Sequence, residues 1–214
     1  FLTQAQIDDY KAKGGVFLQA NPQPGDLIFV DYNGDGEINV SDKTKIGDPN
    51  PHYNVGLNVN CSYKGFDLSI SGYGALGQQI AQCYRNFSDT PNMNYTSLDV
   101  TKYWTGEGTT NKYCRFSDGK NTNMKEISDM YLQNGDYLKI SNITIGYDIK
   151  QVWKNMPLKQ CRIYFTGQNL ITFTGYNGMD PEVGYGAGNS WASGIDLGYY
   201  PNPKTYMGGV SITF

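Results

Sequence analysis

The chain has 214 residues and a formal net charge of −3, from 17 basic and 20 acidic side chains. Aromatic residues make up 14% of it, with 18 tyrosines, and 26 glycines and 9 prolines supply many turn formers. The small net charge argues against a nucleic-acid-binding protein, and the aromatic content argues against disorder. Abundant tyrosine and glycine predict an all-β fold with long polar loops.

The first 52 residues show no strand periodicity, and a short helix is predicted over residues 4–13, before two glycines. Within this region the twelve residues of 31–42 have acidic or amide side chains at loop positions 1, 3, 5, 9 and 12, and glycine at position 6. Loops that wrap Ca²⁺ have this pattern, with a backbone carbonyl ligand at position 7. The predicted ligands of a structural Ca²⁺ are Asp31, Asn33, Asp35, Glu37, Asn39 and Asp42. An Asx-rich hairpin without an ion is the alternative, because Asn-Gly and Asp-Gly also form turns.

Residues 53–214 contain five segments in which apolar and polar side chains alternate, which indicates β-strands with two different faces. The segments begin near Tyr53, Phe66, Tyr137, Cys161 and Tyr206. Each is about ten residues long, roughly twice the usual length in soluble proteins. The alternation slips by one residue near Ser141, which predicts a β-bulge.

The connections between these strands alternate between short and long, with long loops over about 76–136 and 172–204. In an up-and-down sheet this parity puts every long loop at one end, which is the layout of an outer-membrane β-barrel with extracellular loops and periplasmic turns. Ten tilted residues span roughly 23 Å, close to the apolar band of about 25 Å in such barrels. Five strands cannot close a barrel, so the remaining strands are expected outside this chain.

The barrel interpretation assigns an environment to each strand face. The side chains predicted to face lipid are Val55, Leu57, Val59, Phe66, Leu68, Ile70, Ile143, Ile145, Ile163, Val210 and Ile212. Those predicted to face the lumen are Asn58, Asn60, Asp67, Ser69, Arg162 and Thr166. Cys61 and Cys161 lie among the lipid-facing residues and are expected to be unpaired, whereas a disulfide between Cys83 and Cys114 is permitted.

A second interpretation of the same alternation is a secreted, calcium-containing β-sandwich that binds carbohydrate. An enzyme is not predicted, because the chain has one histidine, His52, and no nucleophile–base constellation. Asp180 and Glu182 are two residues apart, and nothing indicates the pocket that a glycosidase carboxylate pair needs. We therefore assign this pair to a loop.

Short motifs along nearly the whole chain follow the order of one known family. They are Pro24-Gly25-Asp26, Asp31–Gly36, Ile46–Pro51, Tyr63–Leu68, Tyr137–Tyr147, Gly167–Leu170, Gly178–Val183, Tyr200–Thr205 and the terminal Phe214. On these residues the chain resembles the C-terminal part of a SusC/RagA-type TonB-dependent outer-membrane transporter of the Bacteroidota.

The resemblance implies a barrel of 22 strands in the cell outer membrane, a size known for plugged outer-membrane transporters. Its plug domain and other strands are not in this chain. The implied function is import of oligosaccharides or peptides, with a SusD-like surface lipoprotein as lid and TonB acting through a part outside this chain. Outer-membrane lipid and a glycan or peptide substrate complete the implied partners. Residues 1–52 are then an extracellular loop region, and 53–214 hold the last five barrel strands.

Overall fold

The computed structural model describes residues 1–84, 102–110, 112–115, 123, 126–183 and 193–214. The chain divides into two compact units. The first consists of Phe1–Gly47 and Gln82–Leu132, and the second of Asp48–Ala81 and Gln133–Phe214. Among the described residues, no helix has both the length and the apolar character needed to cross a membrane.

The regular elements are mostly strands. The one α-helix of the described residues is α1 (Gln4–Ala12), and short 3-10 turns cover Val40–Asp42, Asp129–Tyr131 and Ile149–Gln151. In chain order the strands are β1 (Tyr53–Tyr63), β2 (Phe66–Leu76), β3 (Gln79–Gln82), β4 (Tyr103–Trp104), β5 (Tyr113–Arg115), β6 (Leu132–Asn134), β7 (Tyr137–Asp148), β8 (Gln160–Thr174), β9 (Ile195–Asp196) and β10 (Thr205–Thr213).

The second unit is built on an antiparallel sheet of five long strands in the order β1-β2-β7-β8-β10. This confirms the five predicted strands, and β1 begins at Tyr53 as expected. The turn between β1 and β2 consists of Lys64 and Gly65, both with positive φ, as in the tight hairpin turns that match strand twist. The predicted bulge is also present, because Ser141 is skipped in the pairing of β7 with both neighbours.

Register across the sheet gives it one apolar and one polar face. Val59 pairs with Ile70, and Ile70 with Ile143, so the apolar residues of neighbouring strands lie side by side. None of the eleven residues predicted to face lipid is buried, and eight of them are exposed by 36–59%. The sandwich alternative is not supported, because such a fold would bury these side chains between two sheets.

Aromatic side chains mark both ends of the apolar face. At the short-turn end, Tyr63 is 71% exposed, and the rings of Phe66 and Tyr147 lie 4.3 Å apart. At the long-loop end, Tyr53 and Tyr206 are exposed by 70% and 62%. Aromatic girdles of this kind flank the apolar band of outer-membrane barrels.

The long connection after β2 is not wholly irregular. It contributes β3 and β6 to a three-stranded sheet with β9, and the parallel pair β4-β5. In the first unit, α1 begins at Thr3, whose side chain accepts a hydrogen bond from the Gln6 N–H.

Asp26, at the end of the Pro24-Gly25-Asp26 motif, is the buried centre of a hydrogen-bond network in the first unit. Its Oδ1 accepts bonds from Arg115 Nε and Asn123 Nδ2, both at 2.7 Å. The Asn123 Oδ1 in turn accepts from the Leu27 N–H at 2.9 Å. A buried carboxylate needs such partners, so the network ties the motif to distant parts of the unit.

The cysteines agree with the predictions except in the burial of one residue. Cys61 and Cys161 are unpaired as expected, and the permitted disulfide is not formed, since Cys114 is a free, buried thiol. Cys161 is only 8% exposed, although it belongs to the apolar face. The connection between β7 and β8 packs its 3-10 turn against β8, and sequence alternation does not reveal such coverage.

Candidate functional sites

The polar face of the five-stranded sheet brings together the side chains predicted to face a lumen. Ser69 pairs with Asn60 on one side and with Thr144 on the other. The hydroxyls of Thr144 and Thr166 are hydrogen-bonded at 2.9 Å across β7 and β8. This surface offers neutral amide and hydroxyl groups, which can exchange hydrogen bonds with a polar solute or with water.

An ion pair crosses this polar face between two strands that are not neighbours. Arg162 Nε on β8 donates to Asp67 Oδ1 on β2 at 2.8 Å, and a second bond joins Arg162 Nη2 to Asp67 Oδ2 at 2.5 Å. Gly146 on the intervening β7 lies beneath the pair, and a Cβ there would be 2.4 Å from Asp67 Oδ1. The guanidinium also lies over the Tyr164 ring, 4.9 Å from its centroid.

The segment of residues 175–183, called here the return loop, folds back onto the long-loop half of the polar face. Its Glu182 bonds to Lys139 Nζ on β7 and accepts a bond from the Tyr73 hydroxyl on β2. Asp180 Oδ2 lies 3.8 Å from Lys139 Nζ. The Lys139 side chain is only 2% exposed, so two carboxylates surround one buried cation.

Burial and hydrogen bonding shift the pKa of Glu182 in opposite directions. Burial of the carboxyl raises its pKa, whereas the hydrogen bonds from Lys139 and Tyr73 and the Lys139 charge lower it. The net result is a Glu182 pKa below its ordinary value, so the return loop is held by an ionised carboxylate at neutral pH.

Four of the sequence motifs meet at this cluster, which includes Lys139 of Tyr137–Tyr147. The Asn202 N–H donates to Asp180 Oδ2 at 3.3 Å, and Asn202 Nδ2 lies 3.5 Å from Glu182 Oε2. Asn169 Nδ2 donates to the Pro203 carbonyl at 3.1 Å. The sequence placed Asp180 and Glu182 in a loop but missed Lys139 as their partner. The signal in the sequence that could have pointed to this partner is that Lys139 is a lone lysine on the polar face of a strand.

The structure places all six predicted calcium ligands in one loop that ends in a short 3-10 turn and is largely exposed except at the buried Asp42. Asp31 accepts bonds from the N–H groups of Gly34 and Gly36, at 2.7 and 2.9 Å. Gly36 has φ +86°, a left-handed conformation that suits glycine at the sharp turn of position 6. The loop backbone therefore curves around the carboxylate of position 1.

The end of the loop is held by the residue at position 12. Asp42 Oδ1 accepts from the Tyr32 N–H at 2.9 Å, and Oδ2 accepts from the Asn39 N–H at 2.7 Å. These bonds, above all that from Asn39, lower the Asp42 pKa. Within the described ranges, no three His, Cys, Asp or Glu side chains are grouped closely enough to hold a metal ion. The donor set is all oxygen, the chemistry that Ca²⁺ prefers, and calcium stays a prediction.

Seven aromatic residues of the loops are candidates, from the sequence, for stacking on a sugar ring or packing against a lid. Tyr103 and Tyr176 are buried, which leaves them little surface for a ligand, and Tyr84 is half-buried. Trp104 borders an open cleft of about 550 Å³ in the first unit. Phe87, Tyr185 and Trp191 lie outside the described residues.

Comparison with known proteins finds relatives that match most of the chain in sequence. No family model matches it. The chain is 32% identical over 219 residues to the TonB-dependent receptor P3 of Formosa agariphila, covering 94% of this chain and 20% of that receptor. To the TonB-dependent receptor SusC of Bacteroides thetaiotaomicron it is 31% identical over 196 residues, covering 91% and 18%.

Solved structures agree with these relatives. The chain superimposes on the RagAB peptide importer in its "open-open" state with a TM-score of 0.61 and 21% identity, covering 77% of this chain and 17% of that one. The "closed-closed" state gives a TM-score of 0.58 and 20% identity, covering 87% and 20%. The chain belongs to the SusC/RagA-type TonB-dependent receptors.

Family membership settles three of the predictions. The five-stranded sheet has the fold of the barrel wall, and on this basis we assign its apolar face to the lipid side and its polar face to the lumen side. The receptor is an outer-membrane protein, and it is not an enzyme. The chain spans about one fifth of the length of the curated relatives that it matches.

Proposed function

We propose that the chain forms part of a TonB-dependent importer that moves oligosaccharides or peptides across the outer membrane. The observation that carries the proposal is the two-faced sheet, whose apolar side is exposed while its opposite side presents amides, hydroxyls and an ion pair. A wall of this kind separates lipid from a polar route. The relatives and structural neighbours, which are TonB-dependent receptors and a peptide importer, support the same function.

The substrate class is proposed from chemistry that sugars and peptides share. Both are rich in hydrogen-bonding groups and carry little charge, and the polar face supplies neutral partners such as Asn58, Asn60 and Ser69. Trp104, beside its cleft, offers a ring on which a sugar or an apolar side chain can pack. RagAB is a peptide importer, and the likeness to it supports the peptide alternative.

The proposed partners are TonB, acting through a part of the receptor outside this chain, and a SusD-like surface lipoprotein that covers the extracellular side. Growth of a strain deleted for the receptor gene tests the substrate. The deletion should abolish growth on one oligosaccharide or peptide source, and the full-length gene should restore it. The lipoprotein should copurify with the full-length receptor. Unchanged growth on every source, with no copurifying lipoprotein, would contradict the proposal.

The calcium-type loop is proposed to bind Ca²⁺ in a structural role, through Asp31, Asn33, Asp35, Asn39, Asp42 and the Glu37 carbonyl. The Asp35→Ala variant should lose the ion, measured by metal analysis of the purified receptor, and its loop should exchange amide hydrogens faster. Asp9→Ala, which removes an exposed carboxylate on α1, is the matched control. Equal metal content in the wild type and Asp35→Ala would rule out this site.

A further inference from the structure

The short-turn end of the five-stranded sheet carries an excess of positive charge. Lys64 lies in the turn between β1 and β2, and Lys150, Lys154 and Lys159 lie in the connection between β7 and β8. None of the four forms an ion pair with a carboxylate of the described residues. Two acidic side chains lie near this end among the described residues: Asp148 accepts a bond from the Lys150 N–H at 3.0 Å, and Asp67 is paired with Arg162.

The connections that carry the lysines are held together by hydrogen bonds. The Asp148 N–H donates to the Gly65 carbonyl at 2.8 Å, which joins the two short connections. Lys150 Nζ donates to the Lys159 carbonyl at 3.2 Å, so both ends of the second connection meet. These bonds bring the two short connections together, and the four lysines that they carry define what is called here the basic rim.

The long-loop end of the same unit has the opposite charge balance. Asp48, Asp136 and Asp196 lie in segments at that end, with Lys204 as the one basic residue there outside the Lys139 cluster. The other charged residues of the unit are paired on the polar face, as Asp67 with Arg162 and Lys139 with Glu182. Positive charge is thus concentrated at the periplasmic turns.

Apolar side chains accompany the basic rim. Val152 and Trp153, between Lys150 and Lys154, are exposed by 76% and 59%. Exposed Tyr63 and Phe66 continue the apolar surface into the sheet. Tryptophan and tyrosine favour the depth of the lipid headgroups, and lysine can extend from there to reach a phosphate.

We propose that the basic rim binds the headgroups of anionic phospholipids in the periplasmic leaflet of the outer membrane. Val152 and Trp153 rest at the boundary between headgroups and hydrocarbon, while Lys64, Lys150, Lys154 and Lys159 contact the phosphates. Juxtamembrane lysines gain attraction from anionic lipid, each worth roughly a fivefold change in binding. A lipid fits better than a protein, because the rim continues directly into the lipid-facing side of the wall.

Lipid retention by the full-length receptor tests the proposal. The receptor is purified in detergent, mixed with equal amounts of phosphatidylglycerol and phosphatidylethanolamine, and analysed by native mass spectrometry. The wild type should retain phosphatidylglycerol in preference. The triple variant Lys150→Gln, Lys154→Gln, Lys159→Gln should lose that preference by about 100-fold, because three lysines worth roughly fivefold each are removed.

Two further variants separate specific binding from general effects of charge. Lys11→Gln, Lys43→Gln, Lys204→Gln removes the same charge from exposed lysines elsewhere and should keep the preference. Trp153→Ala should lower retention of both lipids and leave their ratio unchanged. All variants must show the heat-modifiable gel mobility of the assembled receptor, which surface substitutions are expected to preserve.

Three results would overturn the proposal. The first is a wild-type receptor that retains both lipids equally, which needs no variant to interpret. The second is an equal loss of preference in the two triple variants, which would show a non-specific charge effect. The third is an acidic periplasmic protein that crosslinks to residue 154 while lipid retention is unchanged in the Gln variant, which would make the occupant a protein.

Discussion

Gly146 shows how one residue without a side chain permits an interaction between two others. It occupies β7 directly beneath the ion pair that Arg162 and Asp67 form from the neighbouring strands. Any Cβ at this position would overlap both charged groups, since Arg162 Nε would be 2.5 Å from it. The pair therefore depends on the middle strand as much as on its own two residues.

The variant Gly146→Ala is expected to destabilise the full-length receptor by about 1–3 kcal/mol, the usual cost of inserting a group into occupied space. Denaturant unfolding in lipid measures the change. Gly56→Ala is the matched control, because Gly56 has the same lumen-facing orientation and a methyl group there would have no atom of the described residues within 4 Å. Equal stability of the two variants would contradict the explanation.

Cys114 illustrates how burial controls thiol chemistry in the first unit. Burial, aided by the nearby Asp26 charge, raises its pKa to about 11 from the ordinary 9.0. At pH 8 the folded protein should therefore hold about 100-fold less thiolate at this position than the unfolded chain. The folded state also disfavours ionisation, so this residue's contribution to stability is present below pH 9 and is lost as the pH rises through 11.

Alkylation of a variant whose only cysteine is Cys114 measures this effect. The rate at pH 8 should be at least about 100-fold lower in the folded receptor than in denaturant, because both the thiolate fraction and access are reduced. A variant whose only cysteine is introduced as Lys11→Cys, at an exposed position of α1, is the control. Rapid alkylation of Cys114 in the folded receptor would show that it is accessible.

At the scale of elements, the strands of the wall depend on the environment of each face. Leu57 is 51% exposed on the lipid side of β1, and its neighbour Asn58 points to the lumen side. The variant Leu57→Arg should destabilise the receptor by about 2–4 kcal/mol if the site lies near the middle of the bilayer. Asn58→Arg should cost clearly less. Denaturant unfolding in lipid vesicles compares the two variants. Equal losses of unfolding free energy would contradict the assignment of the two faces.

The return loop depends on an ion pair at its tip. Because the Glu182 pKa is lowered in the folded receptor, its contribution to stability is present above the ordinary value of 4.5 and is lost as the pH falls through the lowered value. Protection of the return loop against amide exchange, measured relative to the intrinsic rate at each pH, should therefore fall only below pH 4.5. In Lys139→Met the buried carboxylates lose their cation, so exchange should already be fast at about pH 7.

Lys204→Met provides the control for this experiment, because Lys204 is exposed and lies outside the cluster. Amide exchange of the return loop in Lys204→Met should match that of the wild type both below pH 4.5 and at about pH 7. The interpretation would fail if Lys139→Met kept the wild-type exchange at neutral pH. The loop would then be held by its other contacts, such as the hydrogen bonds between Asn202 and Asp180.

At the scale of the whole molecule, the sheet is open on both sides. β1 and β10 are its edge strands, and each pairs with one neighbour only among the described strands. Lipid offers no hydrogen-bonding partners, so these edges must be paired by strands outside this chain in the assembled receptor.

The isolated 214-residue chain, refolded in detergent, is therefore expected to lack the heat-modifiable gel mobility of a closed barrel. The full-length receptor, prepared in the same way, should show it. A compact, heat-modifiable monomer of the isolated chain would demonstrate closure without further strands, against the expectation from its open edges.

The sequence by itself determined the strands of the wall and their faces. The alternation of apolar and polar residues shows which side chains share a face of a strand, and strand lengths and loop lengths are read directly from the sequence. The five strands of the main sheet and the bulge at Ser141 were therefore predictable. The family was likewise readable from short motifs. These features are local, because each depends on residues that are adjacent in the chain.

Only the tertiary structure decided which distant residues meet. Lys139 and Glu182 are 43 residues apart, and Asp67 and Arg162 are 95 apart. A sequence gives the sign of each charge but not which opposite charge it will meet. It therefore does not reveal that the return loop folds back over the lumen face. Nor does it reveal that Gly146 leaves room for a bond between its neighbours. Those contacts depend on sheet register and loop paths, which long-range packing sets.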